Sequence, residues 1–203
     1  NFHSVMGIGE RKKFCFFWKS GPFPQWADSK FKGISKFDDD NVEWEFSNAE
    51  QWMMFNKALL FNDKDVAEKI MSTSNPRQIK QLGREVRGFK ENEWKKHRET
   101  IVYDGNYLKF TQNESLYDSL ISTVPKTLVE ASPMDKIWGI GLNENDDRAA
   151  NPAQWKGLNL LGYILTRLRD DLIEKKDNPS NPTTTSKSKN YGEDLIDSDS
   201  ESE

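Results

Sequence analysis

Residues 46–61, FSNAEQWMMFNKALLF, decide the fold, because they read as a helix with almost no wet side. Ala49, Trp52, Met53, Asn56, Leu59 and Leu60 recur at helical spacing and form one stripe. Glu50, Met54, Lys57 and Phe61 form a second, at i, i+4, i+7 and i+11. A helix apolar on two stripes belongs in the core rather than on the surface. Glu50 and Lys57 then project from one face, about 10 Å apart along the axis. Two readings stand for each. SNAE has the S-x-x-E form of a capping box opened by Ser47, which would turn Glu50 back on the Ser47 N–H. Lys57 can pack its stem and keep its ammonium wet. Alternatively, both side chains reach into one polar concavity.

The elements outside this helix are short. Phe14–Trp18 (FCFFW) has strand length and ends at the turn-forming SGPFP. Residues 28–41 are a charged loop or hairpin, and Val42–Phe46 alternates like an edge strand. Asn62 or Asp63 can cap a second helix through Val66 and Ile70. Asn75 and Pro76 suit the N-cap and first position of a third, whose inner face is Ile79, Leu82 and Val86. Arg77, Lys80, Arg84 and Arg87 make a basic stripe on its other face. Glu91–Tyr103 places Trp94, His97, Arg98 and Ile101 at helical spacing, and Asn113 can cap a helix carrying Leu116 and Leu120. TLVEAS (127–132) is strand-like, with Glu130 expected to be exposed or in a structural pair. DKIWGIGL (135–142) is a glycine-punctuated loop in which Asp135 suits an Asx turn or a catalytic position. Leu161, Ile164, Leu165, Leu168 and Leu172 mark a final helix. The expected fold is α+β, a mostly helical single domain with a few short strands.

Composition narrows the function classes. The chain has 203 residues, seven Trp and twelve Phe, yet 31% of it is charged, which suits a compact domain with aromatic-lined concavities. One cysteine, Cys15, excludes a disulfide framework and reads as a packed thiol. With only His3 and His97 beside it, there is no zinc pattern. Cysteine usage points to a reducing compartment, cytoplasm or nucleus. No apolar run has the length of a membrane span. The first residues show neither an initiator Met nor a signal-peptide core, so 1–13 read as an extension. Residues 177–203 carry seven acids and two lysines, a net of −5 within a chain total of −4. The body is therefore near neutral. The tail, rich in Ser, Thr, Pro and Asp, reads as disordered and, at DSDSESE, phosphorylatable. Residues 14–176 read as the domain.

Several dispersed motifs resemble one family. FSNAEQWMMFNKALLF, QLGREV (81–86), Trp94, LKFTQNESLYDSLIST (108–123), LVEASPMDKIWGIGL (128–142) and WKGLNLLGYILTRLRDDL (155–172) resemble, in order and spacing, the NADAR or YbiA-like N-glycosidases. The resemblance covers about residues 14–173 and implies cleavage of a ribose–amine bond. It implies one of two substrates. One is guanine bearing ADP-ribose in nucleic acid; the other is a phosphorylated ribosylamino-pyrimidine intermediate of riboflavin synthesis. A non-catalytic ADP-ribose-binding module is a third reading. Carried over by motif, Glu50, Lys57 and Asp135 are the expected catalytic residues; Lys57 is expected either to form a Schiff base to the opened ribose or to serve only as a phosphate or ribose contact. Trp18, Trp94 and Trp138 are expected to stack on rings, and Arg98, Lys109 and the helix start at Asn159 to hold phosphates. Gly139 admits close approach of a ligand, and Gly157, Asn159 and Gly162 match the opening of the last helix. Gln51 departs from the histidine common after the glutamate, and Pro24-Gln25 departs from the early Ser-Asn turn. No cofactor, metal or membrane is implied, and a monomer is expected.

Overall fold

A computed structural model describes residues 11–178. The extension 1–13 therefore falls almost wholly outside the described residues, as does the tail beyond residue 178. Four strands and six α-helices follow in the order β1 (Phe14–Phe17), β2 (Phe31–Ile34), β3 (Glu43–Phe46), α1 (Ala49–Leu60), α2 (Lys64–Met71), α3 (Pro76–Arg84), α4 (Glu91–Thr111), α5 (Glu114–Ile121), β4 (Thr127–Glu130) and α6 (Leu160–Asp177). Two short 3-10 turns, Asp147–Ala150 and Pro152–Gln154, precede α6. The architecture is the expected α+β one, dominated by helices.

The reading of residues 46–61 as a core helix holds. Nine of the twelve residues of α1 are buried, Glu50, Gln51 and Asn56 among them. α2, α3 and α4 pack around it, and α4 carries α6 on another side. Trp52 keys α1 into α4, its indole N–H donating to the Ile101 carbonyl at 2.8 Å. The helix begins later than Ser47, however. Asn48 is the N-cap and its Oδ1 accepts from the Gln51 N–H at 2.9 Å. The Gln51 Oε1 returns to the Ser47 N–H at 2.8 Å. The capping exchange is thus made by Asn48 and Gln51, one residue on from the S-x-x-E reading. Glu50 is left with no capping duty.

Other caps fall where the residue types put them. Asp63 caps α2 through the Val66 N–H, and Asn75 caps α3 with Pro76 at its start. Asn113 precedes α5, but its side chain donates to the Lys30 and Lys109 carbonyls instead of capping. The two sheets are minimal. β2 and β3 form an antiparallel hairpin, Phe31 opposite Phe46. β1 and β4 pair in parallel, from Phe14↔Thr127 to Phe17↔Glu130, so Glu130 sits at the carboxyl end of the pair. Cys15 lies partly buried in β1 beside the core, where burial raises its thiol pKa, as suits a packed thiol.

Candidate active site

The second stripe of α1 is covered by α3 rather than by solvent. Met54 lies under Gly83, where an added Cβ would come 2.0 Å from the Met54 sulfur. On one side of that contact stands Glu50, 4% exposed. On the other, the Lys57 ammonium donates to the Gly83 carbonyl at 2.8 Å and lies 4.3 Å over the Phe89 ring and 5.7 Å over Trp94.

Around Glu50 the chain assembles charges from distant segments. Burial pushes its carboxyl up to about 7. Lys80 is its strongest electrostatic partner; the Trp26 indole, Asp135 and Lys57 also act on it. Glu130, from the end of β4, is pushed up to about 8, first by burial and then by the charges of Asp135 and Glu50. Its Oε2 is shut away from solvent and has no hydrogen-bond partner. Three carboxyl groups therefore share one electrostatic environment. Glu130 is neither exposed nor in a salt bridge among the described residues, which corrects the expectation drawn for it. Its signal in the sequence was an acid at the end of a buried strand.

The Asp135 loop is built to a fixed shape. Its Oδ1 accepts from the Ile137 and Trp138 N–H groups at 2.9 and 2.8 Å, forming an Asx turn. Gly139 lets this loop lie against β4, since a Cβ there would stand 2.7 Å from the Glu130 carbonyl oxygen. Asn159 locks the same junction. It adopts a left-handed conformation, φ 52°, with its Oδ1 accepting from the Glu130 N–H and its Nδ2 donating to the Leu128 carbonyl. Both ends of its amide are thus engaged with β4. Asp135 serves the turn and the charged cluster together.

On the opposite wall, Pro24 and Gln25 are held between α1 and α4. The Gln25 carbonyl accepts the Glu50 N–H at 3.0 Å, and the Gln25 Oε1 accepts from Asn106 at 2.9 Å. Lys109, one turn along α4, is fully buried and donates to the Pro24 carbonyl at 3.1 Å. Burial pushes its amine down to about 7. Lys109 is therefore part of the wall's support, away from the carboxyl cluster. The next residue, Trp26, is 40% exposed with the Lys80 ammonium 5.9 Å over its ring.

The basic stripe on α3 is broken up in the fold. Lys80 turns to Trp26 and the carboxyls, while Arg87 pairs with Asp63 and Asp65. Arg77 and Arg84 stay exposed. Arg98 on α4 lies buried with its guanidinium 6.0 Å over the Trp138 ring. Trp18 lines a separate cavity of about 240 Å³ beyond the carboxyl ends of β1 and β4, with Ser20, Phe23, Ala131 and Glu144. Of the expected residues, the fold thus groups Glu50, Lys57, Asp135, Trp94, Arg98 and Trp138 about the cluster. It keeps Gly139 and Asn159 beneath it, and sets Trp18 and Lys109 apart. Sequence reading missed Trp26, Lys80 and Glu130 as members. Among the described residues, no group of acidic, His or Cys side chains is arranged to hold a metal, and no helix is long and apolar enough to cross a membrane.

Comparison with known proteins is consistent across the chain. The sequence model of the NADAR domain matches residues 16–173. N-glycosidase R617 of Acanthamoeba polyphaga mimivirus is 45% identical over 149 residues, 73% of this chain and 86% of its own length. Protein irg-1 of Caenorhabditis elegans is 37% identical over 190 residues, 88% of this chain and 90% of its own. The NMR structure of the E. coli protein YbiA matches with a TM-score of 0.63 over 86% of this chain and 92% of that one. At 24% identity this likeness shows a shared fold.

Proposed function

The chain belongs to the NADAR domain family and is a glycosidase, and on that premise we propose that it hydrolyses the bond between ribose C1 and the exocyclic amine of ADP-ribosylated guanine in nucleic acid. One observation carries the reading: Glu50, Glu130 and Asp135 come together from α1, β4 and the following loop, with two of the three carboxyls held protonated towards neutral pH. Breaking a ribose–amine bond needs an acid for the oxygen or nitrogen that gains electrons and a base for the water that replaces it. Carboxyl groups driven apart in protonation by burial supply both.

The steps balance as follows. Glu50 gives its proton to the ribose ring oxygen, the C1–O bond opens, and C1 becomes doubly bonded to the exocyclic nitrogen. The Lys57 amine adds to C1. Burial lowers its pKa, which favours the neutral form, and its bond to Gly83 uses one N–H and leaves the lone pair free. Asp135 takes the proton released by Lys57 and passes one to the exocyclic nitrogen, which leaves as a free amine. Water adds to the lysine imine and releases the sugar as its aldehyde, its two protons restoring the Lys57 amine and the Glu50 acid. One water is consumed for each bond broken.

For the substrate, the exposed indole of Trp26 under the Lys80 ammonium, with Met134 and Ile137 exposed beside Asp135, supports a flat base carried on a charged backbone. The deciding measurement offers the purified chain an ADP-ribosylated guanine oligonucleotide and a ribosylamino-pyrimidine phosphate side by side. Faster release from the oligonucleotide is expected, and the reverse order overturns the choice of substrate. Borohydride added during turnover is expected to fix sugar to Lys57. Turnover with no adduct on any lysine would replace the covalent route by direct attack of water.

A further inference from the structure

Arg98 is the least satisfied cation in the structure. It is 8% exposed, so its side chain is more than nine-tenths buried. Its Nε has no hydrogen-bond partner, and among the described residues no carboxylate pairs with its guanidinium. The Trp138 ring lies under it, 6.0 Å from the guanidinium carbon to the ring centroid. A guanidinium taken out of water without an anion is costly, and a stacked indole offsets only part of that. Other buried cations in this fold are provided for: Arg169 pairs with Asp170 and donates to Thr123 and Lys126, and Lys109 donates to Pro24.

Its place is fixed from two directions. Arg98 follows Trp94 by one turn of α4, and Trp94 lies beneath the Lys57 ammonium. Trp138 follows Asp135 by three residues and donates its N–H to that carboxylate. Arg98 is thus tied along α4 to Trp94, which lies under Lys57, and across the fold to Trp138 of the Asp135 loop.

We propose that Arg98, held over the Trp138 ring, is an anion subsite that binds the phosphate esterified at C5 of the substrate's ribose. A planar fork with free N–H donors matches two phosphate oxygens at once, which an ammonium in the same place does not. The subsite rests on the carboxyl cluster being the ribose-cleaving centre. It makes the enzyme selective for sugar phosphates and diphosphates over free nucleosides.

Binding tests this apart from turnover. Ribose 5-phosphate and ribose are titrated into the full chain, reading tryptophan fluorescence for Trp138 and heat by calorimetry. Ribose 5-phosphate is expected to bind at least about 10-fold more tightly than ribose, with a fluorescence change that ribose does not give. Arg98→Met is expected to remove that difference, and Arg98→Lys to restore only part of it. With a cleavable phosphorylated substrate, Arg98→Lys is expected to raise KM by about 10-fold or more while kcat moves less. Equal binding of the two sugars by the wild-type chain, a comparison that needs no variant, overturns the subsite. So does a preference for phosphate that survives in both variants. Phosphate-selective binding lost on substitution, in a protein that cleaves neither riboside, keeps the subsite and overturns the proposed function instead.

Discussion

Glu50 shows how one residue's meaning turns on its neighbours. In the sequence it sits where a capping-box glutamate would; in the fold Asn48 and Gln51 make the cap, and Glu50 is buried beside Glu130 and Asp135. Glu50→Gln is expected to cut kcat by about 10²-fold or more while the protein stays folded. For the wild-type chain, activity should fall as pH rises through about 7, where Glu50 loses its proton. Glu130 bears on stability. Its folded pKa, about 8, lies above the ordinary value of 4.5, so in that window the folded state holds the proton more tightly than the unfolded one. Its contribution is fully present below about 4.5 and is lost as pH rises to about 8. Glu130→Gln is expected to raise the melting temperature at pH 8 and leave it little changed at pH 4, an effect on the order of a few kcal/mol. Thermal unfolding across that range checks it; equal effects at both pH values would contradict it.

Among the elements, α1 organises the rest, and its two ends and its middle can be probed separately. Asn48→Ala removes the side chain that accepts the Gln51 N–H and is expected to cost about 1 kcal/mol. Ser47→Ala should cost less, since Ser47 no longer holds the capping position. In the middle, α4 approaches α1 through Gly105, where a Cβ would stand 2.2 Å from Trp52. Trp52 cannot retreat easily, because its indole is bonded to Ile101 and its ring packs on Phe46 and Phe31. Gly105→Ala is therefore expected to destabilise the protein by about 1–3 kcal/mol, read by urea unfolding. The helix caps Asp63, Asn75 and Pro76 were legible in the sequence because capping is a contact between near neighbours. So were β1, β3 and β4, whose residues alternate or cluster within a few positions.

At the level of the whole molecule, the site is a long-range object. Trp26 lies before the hairpin, Glu50 and Lys57 on α1, Lys80 on α3, Arg98 on α4, and Glu130 with Asp135 near the parallel β1–β4 pair. Asn159 is the pin that ties α6 to that pair, with two hydrogen bonds to β4, one buried and one partly buried. Asn159→Ala is expected to cost about 2–3 kcal/mol and to lower activity as well, since the end of β4 carries Glu130. Asn159→Gly should be milder than Asn159→Ala, because glycine accepts the left-handed backbone that alanine resists. Unfolding of both variants in urea orders them.

By itself the sequence determined the helical periods, the caps and turns, the buried character of residues 46–61, and the candidacy of Glu50, Lys57 and Asp135. The periods, caps and buried stripe depend on residue types and spacings within a few turns of one another, whereas the candidacy of the three site residues came from the resemblance of dispersed motifs to one family. Only the tertiary structure decided that Glu130 and Lys80 join Glu50, that Lys109 supports a wall, and that Arg98 lies buried without an anion. Each of these follows from burial and from charges brought close across tens of residues, where electrostatic effects depend on distance and solvent access rather than on order along the chain.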